Sequence, residues 1–177
     1  MAKTSLTAED WIKGGFRALT TAGPQAIRVE PIARDMQVSK GSFYWHFKDV
    51  SALKVAMLDY WEAKATGEII AAAEHIKGSA REKLDALISQ TGHTPEDVGG
   101  AGAEPAVLDW ARYDPLAGRS VAKVTEKRLA YLKTLFADAG PLADQHAILF
   151  YATYLGLSQL DADRVIILSA LRDRLLP

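Results

Sequence analysis

AIRVEPIARDMQVSKGSFYWHFKDVSALKV, residues 26–55, decides how the rest of the chain is read. It reads as two short helices, a tight turn between them, and the start of a long third helix. Val29, Ile32, Ala33 and Met36 recur at helical spacing and give the first helix one apolar face. Pro31 falls in its first turn, where a missing N–H costs nothing. Gln37 and Val38 form the turn. Ser39 is a good N-cap, so a second short helix is predicted from about Lys40 to Phe47. Phe43 and Phe47 are four apart and share a face that packs inward. Lys40, Ser42, Tyr44, Trp45 and His46 fall on the other faces. A cation, hydroxyls, a large aromatic and an imidazole on an exposed short helix suit phosphates and base edges. A helix pair with no ligand would have little use for Tyr, Trp and His on an outer face.

IARDMQVSK followed by GSFYWHFKD resembles the helix-turn-helix of the tetracycline-repressor (TetR) family of transcription regulators. The family pattern runs roughly I-A-x-x-x-G-V-S-x-G-[ST]-[LF]-Y-x-[HY]-F. Ile32, Ala33, Val38, Ser39, Gly41, Ser42, Phe43, Tyr44, His46 and Phe47 match it in register and without gaps. The resemblance implies an all-α chain. Residues 1–48 would be a three-helix DNA-binding domain, and residues 49–177 a helical effector-binding and dimerisation domain, with about nine helices in all. It also implies that Lys40, Gly41 and Trp45 meet base edges, while Ser42, Tyr44, His46 and Lys48 meet phosphates, with Ser39 beside them at the helix start. The chemistry agrees: Lys donates to guanine O6/N7, a Trp ring or the bare backbone of Gly can lie against a thymine methyl, and hydroxyls and imidazole donate to phosphate oxygen. Arg28, at the start of the preceding helix, is either a phosphate contact or a solvated surface charge.

The chain departs from the pattern twice. Gln37 occupies the turn position usually held by Gly, so a left-handed backbone there would carry a cost. Val50 and Ser51 are neutral where a basic residue is common, and Lys48 is placed to take over part of that phosphate contact.

Composition sets the bounds. The 177 residues are 49% hydrophobic and 24% charged, ordinary for a globular protein with a substantial core. The net charge of −1 hides an asymmetry. Up to residue 48, seven basic residues face four acidic ones; the remainder carries fourteen against eighteen. A basic end on an acidic body fits one nucleic-acid-binding module on a non-binding body. Cysteine is absent, which excludes disulfides and thiolate chemistry. No apolar run has signal-peptide or membrane-span length, so a cytoplasmic location and no membrane partner are expected.

In chain order, Thr7 and Asp10 make a capping pair for a helix buried through Ile12, Phe16 and Leu19 and stopped by Gly23-Pro24. Lys3 and the amides at its start could meet a phosphate. Asp49 caps a long helix to about Ile76, with Gly67 a candidate kink. Further helices are predicted over Ser79–Thr91, Glu104–Tyr113, from Asp114-Pro115 to near Gly140, Leu142–Leu160 and Asp161–Leu176, with residues 92–104 a Gly- and Pro-rich loop. AVLDWARYDP and KRLAYLKTLF resemble the C-terminal domain of one TetR-family subgroup. The last two helices are apolar on more than one face, which suggests a core face and a subunit face. The resemblance implies the same: a homodimer through a four-helix bundle. Trp61, Trp110, Tyr113, Tyr131, Tyr151 and Tyr154 are candidates to line a site for an unknown small-molecule effector, although aromatics at helical spacing are more often core.

No catalytic pattern appears. His46, His75, His93 and His146 form no HExxH, and a His75–His93 metal site would need the fold to bring the two together. No Ser lies in GxSxG, GGAG follows no strand, and no cofactor is expected. The leading reading is a DNA-binding transcription regulator, a repressor released from a palindromic operator by an effector. A helical interaction protein without ligand response is the alternative, and a body with no useful cavity would favour it. An enzyme is a distant third; paired titratable groups in a polar pocket would revive it.

Overall fold

The computed structural model describes residues 6–91 and 100–176, which form helices and connecting turns with no strand. Lys3, His93 and residues 92–99 of the expected loop lie outside the described residues. Helix α1 spans Ala8–Ala22, α2 Val29–Asp35, α3 Lys40–Tyr44 and α4 Val50–Glu62. A π-helical turn, Ala63–Gly67, joins α4 to α5 (Glu68–Glu74). Then come α6 (Ala80–Gln90), α7 (Ala103–Trp110), α8 (Pro115–Leu135), α9 (Ala143–Gly156) and α10 (Arg164–Leu175). With α4 and α5 counted as one helix through the π turn, there are nine among the described residues, as expected.

The helix starts follow the side chains that can cap them. Thr7 accepts from the Asp10 amide and Asp10 accepts from the Thr7 amide, closing a reciprocal box. Ser79 and Glu82 repeat it on α6. Asp49 accepts from the Ala52 amide at 2.8 Å, and Asp114 from the Leu116 amide at 2.9 Å. Ser39 differs from expectation: it sits at the N-cap position of α3 in extended conformation, but its hydroxyl makes no capping bond.

Three helix ends also differ. Helix α3 is regular only to Tyr44; the amides of His46 and Phe47 both donate to the Phe43 carbonyl, which tightens the last turn. Helix α8 stops at Leu135, five residues before Gly140, because a turn from Ala139 to Phe136 closes first. Helix α10 is capped by Asp163, not Asp161, through the Ile166 amide.

Packing groups the chain into two compact units: residues 1–61 with 94–121, and residues 62–93 with 122–177. Compactness thus divides the chain differently from the boundary at residue 48, which separates expected functions. In the first unit Trp11, Phe16, Leu19, Ile32, Phe43, Leu53, Met57 and Trp110 are buried, and α7 packs on α1. Gly14 and Gly15 permit this packing. A Cβ on Gly14 would lie 2.9 Å from Ile32 Cγ2, and one on Gly15 2.5 Å from Met57 Sδ. A Cβ at either position would force a neighbouring side chain to shift, Ile32 or Met36 at Gly14 and Met57 at Gly15.

The second unit buries Leu84, Ile88, Leu132, Phe136, Phe150 and Leu168. Arg81 pairs with Asp173, and Arg172 with Asp85, tying α6 to α10. The π turn is held from α8: Arg128 Nε donates to Thr66 Oγ1 at 3.0 Å and Nη2 to the Ala65 carbonyl at 2.9 Å. A π turn disrupts the regular carbonyl ladder, and a guanidinium is a fitting partner for the displaced oxygen.

Candidate nucleic-acid interface

The turn between α2 and α3 sets the position of α3. Gln37 adopts φ +56, the left-handed conformation that its place in the sequence foreshadowed. The Val38 amide donates to the Ala33 carbonyl and the Gln37 amide to the Arg34 carbonyl. These two bonds form a Schellman motif, which reverses the chain directly after α2. The reversal satisfies carbonyls that the helix end would leave open, and this offsets the cost of the left-handed residue.

Helix α3 is one and a half turns long and cannot persist alone. Phe43 fastens it: fully buried, its ring meets Trp11 edge-on at 5.2 Å and lies 5.6 Å from Phe47. The rest of the helix then faces outward. Trp45 is 87% exposed and Tyr44 62% exposed, with the Tyr44 ring edge-on to Phe43. Ser39, Lys40, Gly41 and Lys48 are exposed; Ser42 and His46 are half-buried. Arg28 is exposed at the N-cap position of α2. Eight of the nine expected DNA-contacting residues thus lie within the ten-residue segment 39–48, and Arg28 leads into the helix before it.

Lys40 is not isolated. Its Nζ lies 2.9 Å from Glu30 Oε1 in the first turn of α2. That hydrogen bond and the charge of Lys40, with smaller contributions from the charges of Arg34 and Arg28, hold the Glu30 carboxyl below its usual range. In the sequence Glu30 is only one of four acids near the basic end. Its position ten residues before Lys40 carries no local signal, because the turn brings the two together.

Links to the rest of the first unit brace the site. Arg17 of α1 binds Asp35 of α2 at 3.2 Å, and the Tyr60 hydroxyl of α4 donates to Glu9 of α1 at 3.2 Å. At the start of α8, Trp110 Nε1 donates to Asp114 Oδ2 at 2.9 Å. Lys54 of α4 lies 5.5 Å above the Trp110 ring, its Nζ 3.8 Å from the same carboxylate oxygen. Burial pushes the Asp114 carboxyl up, but the bonds from Trp110, the Leu116 amide and Lys54 outweigh it and leave it below the usual range.

The six aromatic candidates for an effector site divide between the units. Trp61 and Trp110 are buried in the first, and Tyr113 is 78% exposed there. Tyr131, Tyr151 and Tyr154 belong to the second. Tyr151 and Tyr154 stack at 6.2 Å, and the Arg128 guanidinium lies 5.6 Å over the Tyr154 ring. The Tyr131 hydroxyl is buried and makes no hydrogen bond among the described residues. Burial, and secondarily the charge of Glu74, raises its pKa. No group of three or more His, Asp or Glu residues able to hold a metal occurs among the described residues, and no helix there is long and apolar enough to cross a membrane.

No protein-family profile and no curated protein matches the chain. Solved structures do. A putative TetR-family transcriptional regulator from Rhodococcus sp. superposes with a TM-score of 0.78 at 22% identity, covering 96% of this chain and 98% of that one. A transcriptional regulator from Rhodococcus sp. Rha1 gives 0.77 at 20% identity, over 97% and 96%. A putative transcriptional regulator from Saccharomonospora viridis, solved in complex with choline, gives 0.74 at 18% identity, over 94% and 93%. At these identities the likeness is one of fold, and it extends over nearly the whole chain: this protein has the fold of the TetR-type transcriptional regulators.

Proposed function

We propose that the chain is a DNA-binding transcription regulator that works as a homodimer and responds to a small molecule bound in its helical body, with repression relieved by that molecule as the mode of action. The observation that carries this reading is α3 and its following turn. They are anchored by two buried phenylalanines, Phe43 and Phe47, and present Lys40, Tyr44 and Trp45 to solvent. Large exposed aromatics beside a cation have little structural use there and match what a major groove offers. Ser39, Ser42, Tyr44, His46, Lys48 and Arg28 would hold the flanking phosphates, fixing register without reading sequence.

Dimerisation is supported by α9 and α10. Ile148, Leu149, Val165, Ile166 and Ile167 are exposed there, with Ile166 at 65%. An apolar surface of this kind on two adjacent helices suits a second copy of the same helices, an isologous four-helix bundle. Two-fold symmetry then predicts a near-palindromic operator. For the effector, the candidates Tyr131, Tyr151 and Tyr154 fall in one compact unit, and a ligand acceptor would satisfy the buried Tyr131 hydroxyl. The choline complex of the S. viridis protein supports small-molecule binding by this fold. An effector would act by its differential affinity for the DNA-competent and DNA-incompetent arrangements.

The test is binding to DNA from just upstream of this protein's own coding region and to sites selected from random DNA, across a salt series. Lys40→Ala and Tyr44→Ala are the controls. Specific binding that weakens with salt and falls at least roughly tenfold in both variants is expected. Wild-type protein that prefers no sequence in either experiment would exclude the regulator reading.

A further inference from the structure

The ion pair between Lys40 and Glu30 joins the recognition helix to the helix before it. Both side chains are more than half exposed, and the Nζ–Oε1 distance is 2.9 Å. An exposed pair of this kind adds little stability, because water screens it and two long side chains must be held in one geometry. It does something else: it fixes a hydrogen-bond donor and an acceptor side by side at the base of the reading surface. The charges of Arg28 and Arg34 act on the same carboxylate. Glu30 is therefore an anion set among three cations, an arrangement that would weaken a surface meant only to hold phosphate.

A G·C pair presents the complement of a donor beside an acceptor. Across the major groove it offers guanine N7 and O6 as adjacent acceptors, then the cytosine N4 amino group as a donor. An ammonium can span the two acceptors while a carboxylate beside it accepts from N4. An A·T pair runs acceptor, donor, acceptor, methyl, so the same carboxylate would face thymine O4 and its methyl group. We propose that Lys40 and Glu30 act as one unit that reads a single G·C pair, with Glu30 a specificity-determining residue. The inference rests on the DNA-reading proposal above and adds a contact from α2 that the helix-turn-helix motif does not name. On mismatched DNA, Glu30 keeps Lys40 neutralised and repels the nearby phosphates, which lowers background binding. On the matching pair, both partners exchange their mutual bond for bonds to bases.

Selection from random DNA with the full chain tests this, comparing wild type, Glu30→Ala, Lys40→Ala and the double variant. Wild type is expected to require G·C at one position of each half-site. Each single variant should relax that same position, reducing discrimination roughly 10- to 100-fold, and the double variant should add little further. Glu30→Ala should also bind non-specific DNA more tightly, which loss of fold could not produce. A Glu30→Ala protein that still demands G·C where Lys40→Ala does not would overturn the inference and leave DNA reading intact. Wild-type protein that selects no sequence would overturn both.

Discussion

Gln37 illustrates how one residue can carry the cost of a turn. Its left-handed φ is forced by the Schellman closure after α2, and that closure sets where α3 begins. A side chain in this region costs about 1–2 kcal/mol, and glycine avoids it while losing some chain entropy. Gln37→Gly is therefore expected to stabilise the protein by about 0.5–1 kcal/mol, raising Tm by roughly 1–4 °C in calorimetry. Gln37→Val, with a branched β-carbon, should lower it. If both variants melt with the wild type, the turn is not under this strain. The same reversal brings Lys40 to Glu30, so the turn strain and the ion pair share one origin.

Among the elements, α8 has the most instructive start. Asp114 caps it through the Leu116 amide and also receives Trp110 and Lys54, joining α4, α7 and α8 within one compact unit. Its carboxyl lies below its usual range, as does that of Asp10 in the α1 capping box, where the Thr7 amide and hydroxyl are the chief causes. A carboxyl lowered by folding stabilises the native state above its unfolded pKa of about 4 and loses that contribution as pH falls through the folded value. Urea stability should thus be level from about pH 7 to 5 and decline below about pH 4. Asp114→Asn keeps a capping oxygen but removes the charge. It should cost about 1 kcal/mol or less at neutral pH and nothing near about pH 2, where the wild-type carboxyl is also neutral. An equal cost at both values would mean that shape, not charge, holds this corner.

At the scale of the molecule, the apolar surface of α9 and α10 is the feature left without a covering element among the described residues. Ile166 is the most exposed of its isoleucines, and the proposed dimer would bury it against a second copy. Ile166→Glu is expected to shift the protein from dimer to monomer in sedimentation velocity at micromolar concentration, because an unpaired carboxylate in an apolar interface is strongly unfavourable. Operator affinity should fall with it, since two half-sites would no longer be held together. A variant that stays dimeric would move the interface elsewhere.

Much of this was legible in the sequence because it is written locally. The stretch at 26–55 revealed its turn, its anchor residues Phe43 and Phe47 and its outward set, since helical spacing alone decides which side chains share a face. Caps at Thr7 and Asp49 were readable for the same reason: each acts within four residues. The tertiary structure decided what depends on distant parts of the chain meeting. Gly14 and Gly15 matter only because Ile32, Met36 and Met57 arrive there; Glu30 matters because a turn returns Lys40 to it. Arg128 found the π turn at Ala65 and Thr66 some sixty residues away, and the six aromatic candidates fell into two units. Local chemistry fixes the helices and their faces, whereas the partners across helices follow from which faces the packed core brings together.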